Sequence, residues 1–331
     1  MESNREITGA LTKKKRKWLK SYSVMEIKKF PFIYTLAALP VLQILVFWFY
    51  VNISAIGMAF QNEYGQWSFE SFQRVFDAFK TGADLRGYNP LEMIGKSVCI
   101  WFNINILGNI ISLLTAYMLT KHMIGSKFFR LVYQLPGIVG AVILSIVMKE
   151  MYSYNGMITE LVKNLGVNLP PLAQLNGLLG AEETAFPTLM VQVFILSIAG
   201  GSMIIAGAYM KIPEEIFESA RIEGCGFFRE TFQIAVPCVW PTISTLMVFS
   251  LCSIFTSDYG MYLYSNGSGV NGMVSVGFYL YRYQVALSQV GDGTYIYGYI
   301  SAFGVIITLI TLPVVFGGRK LLSKMQDTVE F

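Results

Sequence analysis

Few residues in this 331-residue chain have the types and spacing that covalent chemistry needs. His122 is the single histidine, so there is no second imidazole for a zinc site or a histidine-based triad. The cysteines Cys99, Cys225, Cys238 and Cys252 have neither metal-ligand spacing nor a disulfide framework, and read as small apolar packing residues. Gly95-Lys96-Ser97 is a near miss for a phosphate loop, but Pro90 stands where the leading glycine is required. The acidic residues are scattered. These patterns assign no catalytic residue and no metal site. The remaining chemistry is non-covalent.

The richest segment is 211–237, Lys-Ile-Pro-Glu-Glu-Ile-Phe-Glu-Ser-Ala-Arg-Ile-Glu-Gly-Cys-Gly-Phe-Phe-Arg-Glu-Thr-Phe-Gln-Ile-Ala-Val-Pro. Pro213 suits a first helical position, and Glu214 and Glu215 complement the helix dipole in the first turn. Gly224 and Gly226 are expected to end that helix, which is then roughly 16 Å long at 1.5 Å per residue. A second short helix is expected over about 227–234, ahead of Pro237 and a new apolar run. A helix–glycine–helix elbow of this kind can plug into another protein.

Polar residues inside apolar runs form a second set. Asn105, Asn109 and Ser112 share one helical face, with Asn103 nearby. Ser250, Ser253 and Ser257 share another, and Gln192, Ser197 and Gly200-Gly201-Ser202 lie together. Such residues either glue helices or line a solute path. Tyrosines form a third set. Nine of the 19 fall between Tyr259 and Tyr299, including Tyr279, Tyr281 and Tyr283. They fit either an interface belt and packing or a vestibule that contacts sugar rings.

The elements that carry these residues are read from hydropathy. Hydrophobic residues make up 54% of the chain and charged residues only 14%, which excludes disorder and most soluble enzymes. Six long windows contain no Asp, Glu, Lys or Arg, and predict membrane helices at about 31–60, 97–120, 131–149, 186–210, 236–257 and 294–317. Two weaker charge-free stretches, 164–181 and 259–281, read as loops. With the N-terminus inside, the cytoplasmic segments hold 18 of the 25 Lys and Arg and the outer segments 7, while acidic residues split 10 to 11. Both termini are thereby expected in the cytoplasm. The net charge of +4 is a topology signal, so no nucleic-acid partner is expected. The expected organisation is a basic tail 1–30, an all-α domain over 31–318 with its long inner loop 211–237, and a tail 319–331.

The elbow resembles a known family. Glu218-Ser219-Ala220, Gly224, Ile234 and Val236-Pro237 stand at the spacing of the EAA motif of permease subunits of bacterial ABC importers. Ser219, Glu223, Cys225 and Val236 depart from the usual residues, conservatively. The stretches 116–121, 125–130 and 135–136, Ala206-Gly207-Ala208, and 69–76 with Ser71-Phe72 in place of Asn-Phe are similar to carbohydrate permeases of the maltose/oligosaccharide type, nearer the maltose F-like partner.

The resemblance implies a type I importer permease fold in the cytoplasmic membrane of a bacterium. It implies half of a heterodimeric pore, with a second permease, two cytoplasmic ATPases, a solute-binding protein and a carbohydrate substrate as partners. The chain itself would bind no cofactor, and ATP and Mg would sit on the ATPases. Glu218, Ser219, Ala220, Glu223, Gly224, Ile234 and Pro237 would meet the ATPase or shape the elbow. A substrate path would pass Gly137, Ala141, Val193, Leu196, Ser197, Ser253 and Ile254, with Asn105 and Asn109 as polar candidates. The same machinery with glycerol phosphate or a polyol as cargo is the nearest alternative. A membrane-embedded glycosyl- or lipid-modifying enzyme is a more distant one, since it would need clustered carboxylates.

Overall fold

The computed structural model describes residues 31–62, 64–84, 87–120, 125–265, 272–289 and 294–327, and the regular structure among them is helical apart from one isolated bridge, Gln61 to Trp67. The basic tail 1–30, His122 and residues 328–331 lie outside the described residues.

The chain divides into two units, residues 1–58 and 59–331. In the first, helix α1 starts at Pro31 and continues through a widened π-helical stretch, Ile44–Phe49, into the α-helical stretch Tyr50–Ala59, where it ends at the border of the second unit. It is apolar all round, as a helix solvated by lipid must be.

In the second unit the order is α2 (Glu70–Thr81), α3 (Pro90–Thr120), α4 (Ser126–Ile138), α5 (Ala141–Met151), α6 (Met157–Asn164), α7 (Pro171–Asn176) and α8 (Glu182–Tyr209). Next come α9 (Glu214–Ile222), α10 (Phe227–Cys252), α11 (Met261–Tyr264), α12 (Val276–Gln289) and α13 (Thr294–Asp327). Among the described residues five helices are long and apolar enough to cross a membrane: α1, α3, α8, α10 and α13.

The third expected span, 131–149, is instead two helices. Pro136 cannot donate to the carbonyl one turn earlier, and Val139 and Gly140 are extended, so α4 stops and α5 starts afresh. Other boundaries shift as well. The second span begins at Pro90, capped by Asn89, whose side chain accepts from Leu91 N–H. The last span runs on to Asp327, so helix also covers most of the expected tail. The two stretches read as loops contain α7, α11 and the start of α12.

Two cores hold the second unit together. One joins α2, α3, α8, α12 and α13 through Val75, Ile100, Leu189, Phe278 and Phe303. The other, at the elbow end, joins Leu113 and Tyr117 of α3, Ile205 and Tyr209 of α8, and Val239 and Ile243 of α10. Small residues let α3 and α8 approach closely. A Cβ on Gly108 would collide with Ser197 Oγ, and one on Gly201 would stand 2.9 Å from Ser112 Oγ.

Candidate functional site

The elbow forms as α9, a turn and α10. Pro213 is the N-cap of α9, just outside the position expected for it, and Glu214 and Glu215 fill the first turn. Gly224 adopts φ +77°. Its N–H donates to Arg221 C=O (3.0 Å), and Cys225 N–H donates to Ala220 C=O (3.0 Å), the paired bonds of a Schellman stop. Gly224 alone ends the helix. Gly226, with φ −76°, starts the next one. The expected short second helix is no separate element: it continues into α10 without a break. Pro237 lacks an N–H, and the helix widens into a π stretch, Glu230–Ala235, immediately before it.

The sequence-expected coupling residues separate by face. Glu218, Ser219, Glu223 and Gly224 are exposed. Ala220 is only 5% exposed and turns into the chain's own interior, so its small size serves internal packing rather than contact with a partner. Ile234 and Pro237 are half-buried in the first turns of α10. Ile222 is 88% exposed at the tip.

Two residues tie the elbow together. Arg221 Nη2 lies 3.7 Å from Glu230 Oε1. Glu230 is buried and also faces the Tyr117 hydroxyl of α3. The Tyr117 ring packs against Phe217 of α9 and Phe227 of α10, with centroids 6.2 and 5.4 Å apart. The elbow is thus bonded to α3 as well as continuous with α10. The sequence signal for this was a lone carboxylate, Glu230, entering an apolar run.

The polar residues of the spans mostly bond to helices. Asn103 Nδ2 donates to Met190 C=O of α8 (2.7 Å), and Ser112 Oγ donates to Ile198 C=O (3.3 Å). Asn105 and Asn109 donate one turn back, to Trp101 and Asn105 carbonyls. Ser197 donates to Phe194 C=O and Ser253 to Ser250 C=O. Val193 and Ile254 are core residues, and Leu196 is half-buried. Gly137 and Ala141 flank the α4–α5 break, and their surroundings lie outside the described residues.

The three tyrosines expected at a vestibule divide. Tyr279 and Tyr283 are core residues, 1% and 2% exposed, and both donate to Asp84 Oδ2, at 2.5 and 3.0 Å. Asp84 Oδ1 accepts Tyr88 N–H at 2.7 Å, so one carboxylate staples the α2–α3 loop to α12. Burial, helped by the neighbouring phenols and the Asp84 carboxylate, raises the Tyr279 pKa and keeps it a donor. These two rings cannot meet a sugar. The sequence reading missed their anchor, Asp84.

Tyr281 is 45% exposed. With Val142, Thr256, Asp258, Tyr259 and Tyr262 it borders an open cavity of about 610 Å³ at the end of α10 remote from the elbow. α10 has 26 residues, so elbow and cavity stand about 39 Å apart along one helix at 1.5 Å per residue.

The fold agrees with solved structures. A permease chain of a bacterial importer of the acidic polysaccharide alginate superposes with TM-score 0.71 at 18% identity, over 91% of this chain and 98% of that one. The diacetylchitobiose uptake system permease of Streptomyces coelicolor is 24% identical over 190 residues, 57% of this chain and about half, 51%, of that protein. This chain is a relative of sugar ABC importer permeases. The multiple sugar-binding transport system permease of Streptococcus mutans is 22% identical over 223 residues, 66% of this chain and 71% of the relative. A probable ABC transporter permease of Bacillus subtilis is 24% identical over 81% of this chain and 89% of its own length. No family model matches. The fold is that of an ABC importer permease, and five of its described helices are long and apolar enough to cross a membrane, as in a multi-pass membrane protein. Its relatives are permeases, which move a solute without transforming it.

Proposed function

We propose that the chain forms half of the translocation pore of a binding-protein-dependent carbohydrate importer and receives its driving force through the elbow. A second permease supplies the other half. Two cytoplasmic ATPases, which carry ATP and Mg, dock on the two elbows, and an external binding protein delivers the sugar.

One observation carries this reading: the exposed α9 is fastened to α10 by a fixed glycine stop and by the Arg221–Glu230 pair. A push on α9 therefore reaches the pore helix and, through Tyr117, α3, with little loss in a soft hinge. Glu218 offers a carboxylate on the exposed face, with Ser219 and Glu223 beside it. The carbohydrate cargo is supported by the names of the relatives, which include diacetylchitobiose and multiple-sugar permeases.

The test is to co-express the chain with its partner subunits and to purify through the ATPase. Glu218→Lys reverses the charge on the docking face and should cut recovery of the permease severalfold. Undiminished recovery together with undiminished transport would show that the elbow is not the coupling element.

A further inference from the structure

Resting on the carbohydrate-importer reading, we propose that the cavity bordered by Asp258, Tyr259, Tyr262 and Tyr281 binds an uncharged sugar ring. The volume of about 610 Å³ is within the range of small-molecule sites. Tyr262 and Tyr281 stand perpendicular, interplanar 89°, with centroids 4.9 Å apart, so the wall offers both a ring face and a ring edge to the C–H surface of a pyranose. Tyr281 is nearly half exposed, so its ring is not used up by internal packing.

Among the described residues bordering the cavity, Asp258 is the sole formally charged one. One oxygen, Oδ1, accepts Gly260 N–H at 3.3 Å, and the carboxylate retains further acceptor capacity. A carboxylate suits the hydroxyl donors of a sugar and repels uronates and phosphorylated sugars. Burial pushes the Tyr259 phenol up to about 12, so it stays a proton donor at neutral pH.

The backbone supplies an independent argument. Tyr259 has φ +52°, the one positive value at a non-glycine position among the described residues. A bulky residue held there is uncommon, and such outliers concentrate where geometry serves a ligand. The turn is locked from behind. Gly277 of α12 lies against the Ser257 carbonyl, where a Cβ would collide, and Met261 N–H donates to Asp258 C=O at 3.0 Å. The wall is preformed, which lowers the cost of binding.

The experiment uses the assembled importer in lipid nanodiscs, free of glycosidic detergent, without binding protein. Saturation-transfer NMR is recorded with maltotriose and with trigalacturonate. Maltotriose should show transfer with the wild type, and at least about fivefold less with Tyr281→Ala, as loss of one aromatic contact implies. Tyr281→Phe keeps the ring and should keep the signal. Trigalacturonate should show none with the wild type and gain a signal with Asp258→Asn. A wild-type importer that retains its ATPase yet gives no maltotriose signal overturns the pocket and leaves the permease reading standing. Equal signals from wild type and a Tyr281→Ala protein that unfolds at the same temperature also overturn it. Loss of the ATPase partnership itself, read separately by co-purification, would count against the permease reading instead.

Discussion

Arg221 Nη2 stands 3.7 Å from Glu230 Oε1, and this pair closes the two arms of the elbow across the Gly224 turn. Arg221 is half in solvent while Glu230 is buried, so the contact is unequal. The carboxylate needs the guanidinium more than the reverse, because an unpaired buried charge is costly. Arg221→Ala should therefore destabilise the chain by about 1–3 kcal/mol, the cost of taking the cation away from a buried carboxylate that still faces Tyr117, whereas Glu230→Gln should cost less. Thermal unfolding of the two variants checks the order. A larger loss for Glu230→Gln would refute it. Both should weaken stimulation of ATP hydrolysis by sugar, since the arms then move less as one body.

Gly224 sits in left-handed space with open room beside it, so backbone conformation rather than a clash penalises substitution. Gly224→Val should cost about 1–2 kcal/mol, and Gly224→Asn less. Transport by the assembled importer should follow the same order. Equal transport by Val and Asn variants would mean that the stop can relax.

The α3–α8 contact makes a different prediction. Gly108 abuts Ser197, and the two helices share the Asn103–Met190 hydrogen bond. Gly108→Val should destabilise by about 1–3 kcal/mol through overpacking, while Gly57→Val, with nothing near its Cβ, should be close to neutral. Melting temperatures of the two purified variants decide this.

Alkaline pH probes the Asp84 staple. The Tyr279 phenol has its pKa raised above the ordinary value of 10 by burial, then by its phenolic neighbours and Asp84. A raised pKa stabilises the fold fully below the unfolded value and loses that contribution as pH climbs towards the folded one. Stability should thus fall with rising pH from about 10 upward. Tyr279→Phe should flatten that fall while lowering stability at neutral pH, because Asp84 Oδ2 loses one of its two phenol donors. An unchanged alkaline slope would remove Tyr279 from the account.

The membrane helices were legible because hydropathy is read along one dimension, and four of the six expected spans coincide with long helices of the second unit. Their ends were less legible. Lys96 looked like a border, yet it lies inside α3, where it pairs with Glu92 and reaches Gly272 C=O. The third span failed as a single helix because composition does not register how Pro136 and two nearby glycines act together. The elbow's stop at Gly224 was readable from local turn chemistry, whereas the fusion of its second arm with α10 was not. That fusion depends on a π stretch that accommodates Pro237.

By itself the sequence determined the membrane class, the approximate spans and the elbow with its glycine, all of which depend on residues a turn or two apart. Only the tertiary structure decided where single side chains go. Tyr279, Tyr281 and Tyr283 are alike in type and two residues apart in sequence, yet two are core donors to Asp84 and one faces a cavity. Ala220 turned inward, and Glu230 found Arg221 and Tyr117. The physical reason is that helical periodicity sets which residues share a face, while the helix packed opposite decides what that face meets.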